Sequence, residues 1–184
     1  MTFYQLKIGI TGSIGMGKST IANEFCNFGI PVWNADSVVR TLYKRGNDGY
    51  KIIKRFISDA AVNDEVNRTI LSDAILKQPT LLQNISTVIH PLIEADRLNF
   101  LKMNYTKKIL VFDIPLLFET SCDKWLDVII VATAPVSIQK KRVLRRKSMT
   151  EEKFSQILSY QLSNEEKIKK SDFVINTNLS LIHI

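Results

Sequence analysis

The stretch Gly12-Ser13-Ile14-Gly15-Met16-Gly17-Lys18-Ser19 fits the pattern GxxxxGK[ST] and directly follows an apolar run, Leu6-Lys7-Ile8-Gly9-Ile10. Its glycines let the backbone fold tightly enough to aim successive N–H groups at a single anion. Lys18 adds a point charge suited to β- and γ-phosphates, and Ser19 offers a hydroxyl to Mg²⁺. Beyond the motif, Ser19-Thr20-Ile21-Ala22-Asn23-Glu24-Phe25 continues with helical spacing. The loop therefore joins a buried strand to a helix whose positive N-terminal end faces the phosphates. An ordinary glycine-rich turn has no use for Gly, Lys and Ser at these fixed offsets.

Outward from this loop, strands alternate with helices, the pattern of an α/β fold with a parallel sheet. Strands are expected at 6–10, 30–33, 109–113, 127–132 and 173–175, and the helix at 19–28 ends at Gly29. Between 37 and 103 the reading is helical, with segments at 37–44, 50–57, 65–77 and 79–101 and a turn at 46–49. Four helical segments without a strand suggest an insertion over one end of the sheet. Helices at 135–147, 151–160 and 163–170 follow, with a turn at Ser148-Met149-Thr150.

With 184 residues the chain is long enough for one domain, or one core with inserted subdomains. Its 45% hydrophobic and 23% charged residues exclude a disordered or fibrous protein. No apolar run reaches the length of a membrane span and the N-terminus begins a strand, so a cytoplasmic protein is expected. Cys26 and Cys122 fit that compartment as buried thiols, and two cysteines with two histidines, none at close ligand spacing, do not make a structural zinc site. A net charge of +7 favours polyanionic partners, nucleotides or nucleic acid. The densest basic cluster, Lys140-Lys141-Arg142 with Arg145-Arg146-Lys147, lacks interleaved aromatic residues. It is a poor base-stacking platform, which leaves a phosphate clamp or a solvated helix face.

Asp36 and Asp113 each follow an expected strand, where ligands bind in an open parallel sheet. One carboxylate near Mg²⁺ and one near an attacking hydroxyl suffice for phosphoryl transfer, although either acid also suits a helix cap. The DxxG and NKxD elements of a switch GTPase are missing. A small kinase or another ATPase remains.

The loop, the stretch Asn34-Ala35-Asp36-Ser37-Val38-Val39-Arg40, the His90-Pro91 pair, the run Asp113-Ile114-Pro115-Leu116-Leu117-Phe118-Glu119, and Arg142 and Arg146 ahead of Thr150-Glu151-Glu152 occur in this order over nearly the whole chain. Together they resemble the dephospho-coenzyme A kinases. That resemblance implies a P-loop NTPase three-layer sandwich with a parallel sheet, a helical substrate-binding insertion at 37–103 and a helical lid at 139–170. The core would comprise 1–36, 104–138 and 171–184. It also implies transfer of the ATP γ-phosphoryl group to the ribose 3′-hydroxyl of dephospho-coenzyme A, with Mg²⁺.

The residue roles follow from the same resemblance. Asp36, Lys18 and Arg40 carry the catalysis, with Asp36 taking or orienting the hydroxyl proton. ATP is bound by Gly12, Ser13, Ile14, Gly15, Met16, Gly17, Lys18, Ser19 and Thr20, and by the lid residues Arg142 and Arg146, four apart on one helix. Asp36, Arg40, Asp113, Pro115, Leu116, Leu117 and Glu119 contact the acceptor. Arg68 matches a family arginine of the insertion or makes an exposed salt bridge, and His90 contacts the acceptor or satisfies a backbone group. Ser19 and Asp113 serve the metal. Small molecules are the expected partners, without nucleic acid or membrane, for a monomer or weak homo-oligomer. The chain departs from the family pattern at Asn34 for Asp, at Ile157 for Arg, and at Asn176-Thr177-Asn178-Leu179 for Asp-Asn-x-Gly. A nucleoside monophosphate kinase of the same architecture, or a nucleic-acid-linked P-loop protein, are the competing readings.

Overall fold

Alternating strands and helices dictate a sheet whose strands all run one way, because each return over a face costs a crossover. The computed structural model describes residues 4–147 and 149–178. Ser148 of the expected 148–150 turn, Leu179 of the expected departure at 176–179, and positions 1–3 and 180–184 of the expected core lie outside the described residues.

In chain order the elements are β1 (Leu6–Thr11), α1 (Lys18–Asn27), β2 (Val32–Asn34), α2 (Ala35–Leu42), α3 (Asp48–Phe56), β3 (Ala61–Val62), β4 (Glu65–Val66), α4 (Arg68–Lys77) and α5 (Thr80–Met103). They are followed by β5 (Ile109–Asp113), β6 (Val128–Thr133), α6 (Val136–Leu144), α7 (Glu151–Ser159), α8 (Asn164–Lys169) and β7 (Phe173–Asn176). The chain divides into two compact units, Met1–Asn34 with Asn104–Ile184, and Ala35–Met103.

The first unit holds a five-stranded sheet in the order β2-β5-β1-β6-β7, with every pairing parallel. From β1 the chain moves past β5 to reach β2, whereas from β6 it moves the other way to reach β7. Right-handed crossovers in opposite directions put their helices on opposite faces. α1 thus packs against β1 and β5, and α8 against β6, which gives helices on both sides of the sheet. Central strands buried on both faces explain why Leu110-Val111-Phe112 and Ile129-Ile130-Val131-Ala132 are unbroken apolar runs. Phe112 is fully buried, edge-on to Trp125 with ring centroids 4.8 Å apart. Gly29, at φ 71°, ends α1 by donating its N–H to the Cys26 carbonyl, as the glycine there predicts. The cysteines expected to be buried are not: Cys26 is exposed in the last turn of α1 and Cys122 is half-buried.

The second unit has its own core of Ile53, Ala60, Val66, Leu71, Ile85 and Ile89. The helix expected over 65–77 starts only at Arg68, because Asn67 caps it by accepting from the Thr69 and Ile70 N–H groups. Residues ahead of it form a hairpin, β3 with β4, whose turn residues Asn63 and Asp64 have φ of 49° and 65°. A two-residue turn with two positive φ values matches the strand twist, and Asn and Asp tolerate that conformation. α5 runs unbroken through Pro91, which leaves the Thr87 carbonyl without its helical donor. Among the described residues no helix is long and apolar enough to cross a membrane.

Gly12 enters the phosphate loop at φ +146°, and a Cβ there would lie 2.6 Å from the Ala132 carbonyl oxygen. Gly12→Ala combines backbone strain with overpacking, so urea unfolding is expected to show a loss of about 2 kcal/mol or more. Retention of wild-type stability would contradict this close approach.

Candidate active site

β1 delivers the phosphate loop at the carboxyl edge of the sheet, between β5 and β6. The loop and the start of α1 line a cavity of about 320 Å³ with Gly15, Met16, Gly17, Lys18, Ser19 and Thr20, facing Arg142 and Arg146. The N–H groups of Gly15, Gly17, Lys18 and Ser19 have no protein acceptor among the described residues. The first turn of a helix leaves such donors open, and here the loop adds two more to the row. Ser13 is buried, its carbonyl accepting from the Met16 N–H at 3.1 Å. The Ile14 N–H is turned to Gln161 Oε1 at 3.1 Å, so the open row starts at Gly15. Four donors beside the Lys18 ammonium form an anion cradle, the geometry that polyphosphate demands.

The two arginines differ. Arg142, in α6, donates from Nη1 to Thr177 Oγ1 at 2.9 Å and from Nη2 to the Thr177 carbonyl at 2.8 Å. Arg146 has no protein partner among the described residues. Both were expected on one helix running to 147, but α6 ends at Leu144, and Arg146 N–H bonds the Val143 carbonyl in a tightened last turn. The cations at 145–147 sit favourably at this negative helix end, and neither Gly nor Pro marks the stop in the sequence.

On the other side of β1, the parallel register places Asp113 beside Ile10 and opposite Asn34 of β2. Asp113 is 2% exposed, and its Oδ2 accepts from Asn34 Nδ2 at 2.7 Å. The Asn that replaces a family Asp is thus a neutral donor that orients the carboxylate. The fit to Mg²⁺ is that of a hard oxygen set, the Ser19 hydroxyl and the Asp113 carboxylate, which suits a cation that keeps most of its waters and arrives with phosphate. Among the described residues no group of three His, Cys, Asp or Glu side chains forms a resident metal cage.

Two residues expected on the acceptor are corrected. Leu117 is fully buried, with its Cδ1 over Gly9 of β1, where a Cβ would lie 2.8 Å away. Glu119 is drawn inward by Lys167 of α8, itself completely buried, at 2.9 Å. Glu119 Oε1 also accepts from the Leu162 N–H at 2.8 Å. Lys167 Nζ donates further to the Pro115 carbonyl at 3.2 Å, which also takes the Thr11 hydroxyl at 3.1 Å. A buried charge persists only when paired and hydrogen-bonded, and this pair pins the 115–119 loop to α8 and to β1. Leu116 remains open to solvent and Pro115 half-buried. Neither Lys167 nor Gln161 was singled out from sequence, since a Lys in the charged run Glu165-Glu166-Lys167 looks solvated.

The helical unit carries the remaining expected residues. Asp36 and Arg40 are exposed in the first and last turns of α2, four apart. Asp36 follows the end of β2 by two residues. The Arg68 guanidinium lies 6.0 Å from the Tyr43 ring centroid instead of in a salt bridge. Burial pushes the Tyr43 phenol up, and the Arg68 charge works against that. His90 is exposed in mid-helix, with no backbone partner among the described residues.

A family model described as dephospho-CoA kinase matches residues 6–182. This chain belongs to the dephospho-CoA kinase family. The dephospho-CoA kinase of Ruegeria pomeroyi is 44% identical over 178 residues, 97% of this chain and 88% of that one. That of Bartonella quintana is 42% identical over 176 residues, 95% and 90% of the two chains. A crystal structure from Thermus thermophilus superposes with a TM-score of 0.86 at 28% identity, covering 97% of this chain and 91% of its own. A shikimate kinase from Acinetobacter baumannii, TM-score 0.53 at 14% identity over 97% of this chain and 87% of its own, shares the fold.

Removing one member of the buried pair leaves the other charge uncompensated. Glu119→Ala is expected to lose about 3–5 kcal/mol of stability in urea melts, and the apolar pair Glu119→Leu with Lys167→Met to lose clearly less. Equal losses would mean that the ion pair is not what Glu119 contributes.

Proposed function

We propose that this chain transfers the γ-phosphoryl group of ATP to the ribose 3′-hydroxyl of dephospho-coenzyme A, giving coenzyme A and ADP. The observation that carries the donor half is the row of four open N–H groups beside Lys18 in a cavity facing Arg146. Membership of the family supports the acceptor. ATP phosphates lie along Gly15 to Ser19, with the Lys18 ammonium on the β- and γ-phosphates. Arg146, with no protein partner among the described residues, closes over the polyphosphate from the lid, whereas Arg142, on the same cavity, is tied to Thr177. Closing the lid excludes water that would otherwise take the phosphoryl group.

The acceptor oxygen forms its bond to the γ-phosphorus as the bond from that phosphorus to the β–γ bridging oxygen breaks, and ADP leaves. Asp36 receives the hydroxyl proton. Arg40, one turn along α2, contacts the transferring group or an acceptor phosphate, and Arg68, His90, Pro115 and Leu116 contact the rest of the acceptor. Ser19 and Asp113 would hold Mg²⁺, which when bound would neutralise charge on the β- and γ-phosphates. The reaction calls for neither nucleic acid nor membrane, and we place it in the cytoplasm, in a monomer or weak homo-oligomer.

Asp36→Asn keeps the shape and removes the base. Steady-state kinetics with dephospho-coenzyme A are expected to show kcat lower by about a hundred-fold or more. The KM for ATP should stay within about three-fold, as for a group that acts in the transition state. Comparable losses in both constants would contradict the role given to Asp36. Arg146→Ala is expected to raise the KM for ATP more than the KM for dephospho-coenzyme A.

A further inference from the structure

A trans peptide unit is planar, so its C=O and the following N–H point in opposite directions. Whatever grips the carbonyl of one loop residue therefore aims the N–H of the next. Behind the cradle, the alternate carbonyls of Ile14 and Met16 are gripped by side chains. Gln139 Nε2, on a side chain 4% exposed, donates to the Ile14 carbonyl at 2.8 Å, which sets the plane that ends in the Gly15 N–H. Thr177 Oγ1 donates to the Met16 carbonyl at 2.8 Å, which sets the plane that ends in the Gly17 N–H. The Ser13–Ile14 peptide is held from its other end, by Gln161 Oε1 on the Ile14 N–H.

The loop has room for these grips because it carries glycine where they come closest. A Cβ on Gly17 would lie 2.5 Å from Thr177 Oγ1, and one on Gly15 would lie 2.5 Å from Val143 Cγ2 and 3.1 Å from the Gln139 carbonyl. Thr177 is itself fixed from three directions. Its N–H donates to the Thr133 carbonyl at 2.8 Å, and Arg142 reaches its hydroxyl and its carbonyl at 2.9 and 2.8 Å. The Arg142 bond matters for direction, since a hydroxyl that accepts from a guanidinium turns its single proton to the carbonyls, to Met16 at 2.8 Å ahead of Thr133 at 3.3 Å. The residue at 177 thus occupies a defined place against the loop.

We propose that Gln139 and Thr177 are positioning residues for the phosphoryl donor: each holds a carbonyl of the phosphate loop and thereby aims the N–H across the same peptide plane, that of Gly15 or of Gly17, at the nucleotide phosphates. Arg142 acts through Thr177 and also reaches the Gly15 carbonyl itself, at 3.5 Å. The role rests on the reading of the loop as the ATP site and is independent of the acceptor. In this arrangement Gln139 of α6 and Thr177 after β7 back the loop.

Binding of Mg·ATP by calorimetry, with the Gly17 amide followed by ¹⁵N NMR and the unfolding temperature measured alongside, tests the assignment. Thr177→Val removes the hydroxyl at nearly constant volume, and Thr177→Ser keeps it. Thr177→Val is expected to weaken ATP binding by about ten-fold, and Thr177→Ser to bind within about two-fold of wild type. The Gly17 amide should move on ATP addition in wild type and in Thr177→Ser, and much less in Thr177→Val. Gln139→Met is expected to weaken ATP binding comparably, with the Gly15 amide affected. Equal ATP affinity in Thr177→Val and wild type, or equal loss in Thr177→Val and Thr177→Ser, would overturn the proposal. Failure of the acceptor reading would appear separately, as wild-type protein that binds Mg·ATP and leaves dephospho-coenzyme A unmodified.

Discussion

All five strands of the core sheet run the same way, so every connection that leaves a carboxyl end leaves from one edge. The rest of the core unit depends on that constraint. It puts the phosphate loop after β1, Asp113 at the end of β5, Asn34 at the end of β2 and Thr177 just beyond β7 along that edge. Registers then decide the neighbours. Asn34 stands opposite Asp113 and donates to it, and Thr133 opposite Asn176 brings Thr177 behind the loop. A one-residue slip in either pairing would turn these side chains to the other face.

Polar groups buried at this edge do mechanical service. Lys167 draws Glu119 and Pro115 together, and Gln139 and Gln161 hold the two ends of the Ile14 residue. In a low-dielectric setting each such bond is strong when made and costly when left open, so the loop has few alternative geometries at equal energy. A cradle that is already in shape needs little reorganisation as charge moves from the γ-phosphate to the β–γ bridging oxygen, and that is where a phosphotransferase gains most.

Much of the fold was legible because its signals are local and unambiguous. The apolar run ending in Asp113 predicts β5 residue for residue, and Gly12 to Ser19 predicts strand, loop and helix together. The hairpin of β3 and β4 escaped because two-residue strands have no periodicity and its turn carries Asn63-Asp64 without glycine. The end of α6 at Leu144 escaped because the residues beyond it are good helix formers. At the site, Lys18, Ser19 and Arg146, named for their chemistry, lie on one cavity. Residues defined by distant partners were not readable from sequence. Glu119 looked like a ligand group until α8 supplied Lys167, and Gln139 and Thr177 have no motif, since their roles depend on contacts 125 and 161 residues away in sequence.

The reading proposed is a kinase for one small acceptor, with the open N–H row as its donor site. Its most direct test is ADP release from Mg·ATP by the purified chain with dephospho-coenzyme A, AMP, dCMP or water as acceptor, with each product identified by mass. The account predicts rapid ADP formation only with dephospho-coenzyme A, whose product gains one phosphoryl group on the ribose 3′-hydroxyl. Faster phosphorylation of another acceptor, or ATP hydrolysis indifferent to any acceptor, would contradict it.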